Sequence, residues 1–275
     1  VRKQDEKGVK DLFAPYANIN TECISSVADQ GDVIQLKFVD QNKRIETQTA
    51  FMKPIGPEDV KPLLDCEVFV CVPVTDFEVP LETLIYIKEN SNVSIVFDAH
   101  GPTTALTVRG QRVTKFWVDR DLWLPYIDVL KMNLEEANCS WFQNEYSLEE
   151  LENNEEIDPE QLPKFAAYCL QHGLKALYVT LDSRGTMVYT LQNGVLHQEL
   201  VPSVPVEKVI DTTGCGDSFA GGIAFSLLDN PMDFIKAAQF GNAMGAQRTQ
   251  GKTFEVFKSL SETEKILANT YKSSV

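Results

Sequence analysis

Apolar positions at the start of the chain recur at helical spacing. Val9, Leu12, Phe13 and Tyr16 share one face, which predicts a helix from Val1 to about Tyr16. From Asn18 to Phe51 the pattern changes to three short alternating runs, "CISSVA", "VIQLKFVD" and "RIETQTAF". The second and third are joined by Asp40-Gln41-Asn42-Lys43, a polar turn suited to a hairpin. A small antiparallel sheet is therefore predicted at about 18–53, either as an edge hairpin or as a lid over a site. Beyond it a βα rhythm sets in. The buried-strand runs "CEVFVCVPV", "VSIVFDA", "YIDVLKMN" and "KALYVTL" are interspersed with the helical runs "VPLETLIYIKEN" and "PEQLPKFAAYCLQHGL". Strands this rich in Val, Ile and Leu predict an α/β fold with a mostly parallel sheet covered on both faces. The acidic stretch from Ser147 to Glu160 reads as a solvated helix and loop. No internal repeat or low-complexity linker interrupts residues 1–275, so the chain reads as a single domain.

Composition narrows the partners. The formal charge of −15 argues against nucleic acid and anionic membranes, which require clustered Lys and Arg. No apolar run approaches the roughly 20 residues of a membrane span, and the charged opening "VRKQDEKGVKDLF" does not read as a signal peptide. Six cysteines without CxxC spacing, and only three histidines, suggest no zinc site. They read as reduced, mostly buried thiols of a cytoplasmic protein. The chain opens inside a helix with no strand before it, so upstream residues are expected to be missing.

The candidate chemistry lies in the last quarter, in "VIDTTGCGDSFAGG", Val209 to Gly222. A strand ending near Ile210, a Gly-rich turn and a helix from about Cys215 would present free backbone N–H groups at a helix N-terminus. Such an end attracts anions through its unpaired donors and its dipole. Asp217 falls in the first turn, facing whatever those groups hold. Taken alone, this is equally a helix start with an acidic first-turn residue.

The string Asp211-Thr212-Thr213-Gly214-Cys215-Gly216-Asp217, followed by Gly221-Gly222, resembles the C-terminal signature of the ribokinase (pfkB) family of sugar and nucleoside kinases, D-T-T-G-A-G-D-x-F-x-G-G. "KMNLEEA" supplies Asn133 and Glu136 for the family's N-x-x-E motif, and "VTLDSRG" supplies Thr180 and Gly185 for its nucleotide turn. Read alone, Asn133 and Glu136 are a helix start and Thr180 a strand end; the three motifs in order carry the resemblance, which runs from about Asn18 to the C-terminus. It implies a ribokinase-like fold with a β lid, and transfer of the γ-phosphoryl group of ATP to a hydroxyl of a small sugar or sugar acid. A nucleoside is the alternative acceptor; a nucleotide-binding protein without phosphoryl transfer is the alternative of another class.

By the same resemblance Asp217 is the general base, and the N–H groups of Gly214, Cys215 and Gly216 form an anion hole. Thr180, Gly185 and Asn242 lie at the nucleotide, Asn133 and Glu136 hold Mg²⁺, and Asp211 and Thr213 bind a monovalent cation, K⁺. Dimerisation through the lid is a further family trait. Three departures stand out. The family's N-terminal signature, with its substrate-gripping Asp, is absent. Asp182 replaces the first glycine of the nucleotide turn. Cys215 replaces an alanine, either as a small neutral substitute or as a thiol whose pKa the helix N-terminus lowers. A Walker-like string, "GAQRTQGKT", is set aside: five residues separate Gly245 from Gly251 where the motif allows four, and a helical run precedes it.

Overall fold

Apolar runs rich in Val, Ile and Leu form the centre of a six-stranded sheet in the computed structural model, which describes residues 1–39, 44–141 and 160–272. In chain order its elements are helix α1 (Lys3–Phe13), strands β1 (Val33–Phe38) and β2 (Arg44–Ala50), helix α2 (Pro57–Val60), β3 (Val68–Cys71), α3 (Leu81–Asn90), β4 (Ser94–Asp98), β5 (Thr104–Leu106) and β6 (Arg112–Thr114). There follow α4 (Arg120–Trp123), β7 (Val129–Asn133), α5 (Leu134–Ser140), α6 (Leu162–Gln171), β8 (Ala176–Thr180), β9 (Thr186–Gln192), β10 (Val195–Val201), α7 (Cys215–Asp229), α8 (Phe234–Arg248) and α9 (Leu260–Thr270).

The sheet order is β10-β9-β8-β7-β4-β3. Strands β3, β4, β7 and β8 run parallel, as their apolar runs predict, while β9 and β10 form an antiparallel edge. The β9–β10 turn is Asn193-Gly194, both at positive φ, the requirement of a two-residue hairpin turn. Alternation along the strands splits the core in two. Ile95, Phe97, Leu130 and Leu177 face α3 and α6, burying Phe165 and Trp117 with them. Val96, Val129, Ala176 and Tyr178 face α7 and α8, against Phe219, Ile223 and Ala237. Those two helices approach closely enough that a Cβ on Gly222 would lie 2.9 Å from the Cα of Gly241. Tyr178 ties the layer to the sheet by donating its hydroxyl to the Phe234 carbonyl at 2.9 Å.

Several expectations change. The hairpin forms as β1 paired antiparallel with β2, but its turn, Asp40 to Lys43, lies outside the described residues, as does the acidic stretch up to residue 159. "CISSVA" is not a strand. Val27 N–H donates to Ser25 Oγ, a local bond of the kind that competes with sheet pairing, and Ser26 Oγ donates to Glu6 on α1. Val209-Ile210 is not a strand either: Ile210 and Asp211 donate their N–H groups to one carbonyl, Thr249, at 2.8 and 3.3 Å. Helix α1 forms where the spacing predicts, yet none of its residues is buried; Phe13 stacks on Phe254 at 5.6 Å.

Candidate active site

The C-terminal ends of β4, β7 and β8 converge on the start of α7, the edge where open parallel sheets gather ligands. The turn Asp211–Gly214 is shaped from within. Asp211 Oδ1 accepts from Thr213 N–H at 2.9 Å, and Gly214 caps α7 at φ 83°, a left-handed conformation that glycine adopts without strain. Cys215 N–H, expected in the anion hole, instead donates back to the Thr212 carbonyl at 3.2 Å, which corrects that assignment. The donors beyond it in the first turn have no helical carbonyl to meet. Asp217 sits exposed beside them.

Period-two alternation sends Asp98 and Lys131, register partners on β4 and β7, to the face beneath α7. Their side chains are 3% and 7% exposed and pair at 2.8 Å. Lys131 Nζ reaches so far under the turn that a Cβ on Gly216 would lie 2.9 Å from it, so the ammonium and the glycine fit only together. Burial works against the charged lysine, but Asp98, Glu136 and Asp217 outweigh it and raise its pKa above the ordinary value. A fixed positive charge thus stands under the helix start, close to Asp217.

Asn133 and Glu136 form a capping box at the start of α5. Asn133 Oδ1 accepts from Glu136 N–H, and Glu136 Oε2 from Asn133 N–H, each at 2.8 Å. Glu136 Oε1 meets His100 Nδ1 at 3.0 Å. Burial opposes ionisation of Glu136, yet Lys131 and His100 hold its pKa below the usual value. An ionised carboxylate whose oxygens already accept hydrogen bonds fits a Mg²⁺ ion that keeps part of its water shell.

Thr180 faces Asn133 across the β7–β8 register and donates to the Met132 carbonyl at 3.3 Å. In the turn that follows, Asp182 adopts φ 51° and Gly185 φ 110°. An Asp tolerates the left-handed region better than most side chains, which explains how it replaces a glycine there. Gly185 admits no side chain, since a Cβ would lie 2.1 Å from the Val201 carbonyl. Asn242 lies on α8 with its amide engaged: Oδ1 accepts from Thr186, and Nδ2 donates to the Val201 and Pro202 carbonyls, each at 3.1 Å. The loop of Asp211 and Thr213 faces Arg248, the last residue of α8. Its Nη1 donates to the Gly251 carbonyl at 2.6 Å and its Nη2 lies 3.9 Å from Asp211 Oδ2. At Cys215 burial raises the thiol pKa, so the lowered value considered for a helix N-terminus is corrected.

The motifs named Asp217, Asn133 and Glu136 but missed Asp98, Lys131, His100 and Arg248. One signal was available. Asp98 and Lys131 are the charged residues near the ends of otherwise apolar strand runs, "VSIVFDA" and "YIDVLKMN".

Residues 81–253 match the model of the pfkB family carbohydrate kinases. The chain is 33% identical to a ribokinase of Mus musculus over 113 residues, 38% of this chain and 33% of that protein. It is 29% identical to a ribokinase of Staphylococcus aureus (strain COL) over 195 residues, 70% of this chain and 55% of that one. The chain thus matches a third to about half of the length of these two relatives. Its fold superposes on the structure of Arabidopsis thaliana ribokinase complexed with ribose and ATP, with a TM-score of 0.60 at 17% identity, over 87% of this chain and 69% of that one.

Proposed function

Because the chain belongs to the pfkB family of carbohydrate kinases, we propose that it transfers the γ-phosphoryl group of ATP to a hydroxyl of a small sugar or sugar acid. The observation that carries this reading is the pairing of a free carboxylate, Asp217, with a helix start underlain by the Lys131 ammonium. Phosphoryl transfer needs an in-line hydroxyl, an acceptor for its proton and compensation of charge on the transferring oxygens. Asp217 takes the hydroxyl proton. First-turn N–H groups at Gly216 and beyond, with Lys131 behind them, offset the charge that develops. Asn133 and Glu136 hold Mg²⁺ through its waters, and the metal, when bound, neutralises phosphate charge. Thr180, Gly185 and the segment around Asn242 border the nucleotide, with Gly185 shaping the turn.

A K⁺ ion at Asp211 and Thr213 would face Arg248, whose guanidinium already spans Asp211 and Gly251. This reading gives the charge compensation there to Arg248. Exchanging K⁺ for a bulky organic cation at fixed ionic strength should then leave the rate within about twofold, below the smallest shifts typical of coupled sites; a larger loss would return the role to K⁺. The β1–β2 hairpin serves as the lid and the surface for a homodimer, and six free thiols fit a reducing cytoplasm. Among the described residues no helix is long and apolar enough to cross a membrane.

ADP release, measured with ATP and Mg²⁺ over a panel of sugars, sugar acids and nucleosides, tests the proposal. Turnover with a sugar or sugar acid supports it. Turnover with nucleosides alone moves the acceptor class, and nucleotide binding without any ADP release would overturn phosphoryl transfer.

A further inference from the structure

The β1–β2 hairpin and the Glu136 carboxylate are joined by a continuous polar chain that the motifs do not include. Glu46 on β2 accepts from Arg112 Nη1 at 2.5 Å. Arg112, 8% exposed on β6, turns Nη2 to the Val74 carbonyl at 2.7 Å and to His100 Nε2 at 2.5 Å. His100 Nδ1 lies 3.0 Å from Glu136 Oε1, and Glu136 closes the chain on Asn133 through the capping box. Direction follows from chemistry. A guanidinium has no acceptor, so Arg112 must donate to His100 Nε2, which leaves Nδ1–H to donate to Glu136. Backbone bonds run alongside: Gln48 N–H donates to the Gly110 carbonyl at 2.8 Å, and Thr47 bridges Gln111. The hairpin is thus fastened to β6, and β6 to the end of the sheet that carries the site.

The structure assigns Arg112 and His100 as positioning residues that couple the seat of the β1–β2 hairpin to the orientation of the Glu136 carboxylate. The two ends touch through shared side chains with fixed donor and acceptor roles. Moving the hairpin away from β6 withdraws Glu46 from Arg112, whose guanidinium then loses the carboxylate that aims its Nη2 at His100, and His100 loses the bond that fixes its ring toward Glu136. In the other direction, a load on Glu136 that draws its carboxylate from His100 frees the ring and loosens the hold of Arg112 on Glu46. Coupling between sites is reciprocal by thermodynamic necessity. The functional meaning rests on the phosphotransfer reading: the carboxylate that carries Mg²⁺ is aimed fully only when the hairpin is seated.

Amide hydrogen exchange on the full chain tests the coupling without nucleotide or turnover. Glu46→Ala, which removes the hairpin's acceptor for Arg112 Nη1, should speed exchange of the Glu136 amide, which bonds Asn133 Oδ1, by at least about fivefold, the lower end of typical site coupling. His100→Ala should speed exchange at both Glu136 and residues 44–50. His100→Gln, whose amide can accept from Arg112 and donate to Glu136, should restore both. Unchanged Glu136 exchange in Glu46→Ala, or no recovery in His100→Gln, would overturn the coupling. A second arm adds Mg²⁺ and ADP. Slowed exchange at 215–218 and at 44–50 in the wild type, with the hairpin effect lost in His100→Ala, extends the coupling to the loaded site. Slowing at 215–218 without any at 44–50 contradicts it. Absence of slowing at 215–218 counts against the phosphotransfer reading alone, and the first arm still decides the coupling.

Discussion

Lys131 does two things at once, and they can be separated. It neutralises a buried carboxylate, Asp98, and it places an ammonium under Gly216. Lys131→Met leaves Asp98 buried and unpaired, which should cost about 3–5 kcal/mol of stability. Adding Asp98→Asn removes the stranded charge and should recover part of that loss in urea unfolding. It should not recover turnover, because the charge under the helix start is still missing. Recovery of both in the double variant would mean that Lys131 serves the fold alone. The same pair shows why residue-level reading fell short. Asp217 and its glycines are neighbours in sequence and form a legible string. Asp98 and Lys131 are 33 positions apart and meet only through the β4–β7 register.

At the scale of elements, the start of α5 is a capping box formed by the same pair of residues to which the proposed function assigns Mg²⁺. Glu136→Gln separates the two functions, since Gln retains the capping geometry but not the charge. Its stability should fall by about 1–3 kcal/mol in chemical unfolding while the fold is kept, since the buried amide loses the His100 bond and the attraction of Lys131. The Mg²⁺ concentration for half-maximal rate should rise by about tenfold or more, the scale of one lost charge partner worth roughly 1.4 kcal/mol. An unchanged Mg²⁺ dependence would move the metal to another residue. Elements with long apolar runs, β4, β7, β8 and α6, were legible because burial on both faces leaves a continuous signal. The Cys23–Ala28 segment misled because alternation without a neighbouring strand is no strand. The β9–β10 hairpin was legible in principle from Asn193-Gly194 and its flanking runs, but its largely exposed β10 dilutes the apolar pattern. Val209-Ile210 looked like a strand because two β-branched residues precede a turn, whereas a single carbonyl from Thr249 holds the segment.

Across the whole molecule, two layers of helices on one sheet leave open the C-terminal ends of β4, β7 and β8, where Asp98, Lys131 and Glu136 gather. The opposite end is pinned by Asp128. Its Oδ2 accepts from Ile95 N–H at 2.8 Å and pairs with Lys88, while Oδ1 lies 2.9 Å from Lys175. Burial opposes its ionisation, but Lys88, the Ile95 amide and Lys175 hold its pKa below the ordinary carboxylate value. A carboxylate with a depressed folded-state pKa contributes stability that is present above its unfolded pKa, near 3.9, and is lost as pH falls through the folded value. Asp128→Asn should therefore be less stable than wild type at pH 7 and lose less of its stability on acidification below about pH 4. Parallel pH-stability curves for the two proteins would contradict this role. Fold class and family were legible from the rhythm of strands and three ordered motifs. What was not legible is what the sheet brings together, namely the buried pair under α7 and the side-chain chain from Glu46 to Glu136.

The central claim is that Asp217 acts as the base of phosphoryl transfer beside a helix start that binds the anion. Asp217→Asn keeps the shape of the first turn, so the most direct measurement compares this variant with wild type for nucleotide binding by calorimetry and for turnover by ADP release. The account predicts binding within about threefold, a difference of roughly 0.65 kcal/mol, and turnover lower by about 10²–10⁴, the contribution of a positioned general base. Turnover close to wild type in Asp217→Asn would contradict it.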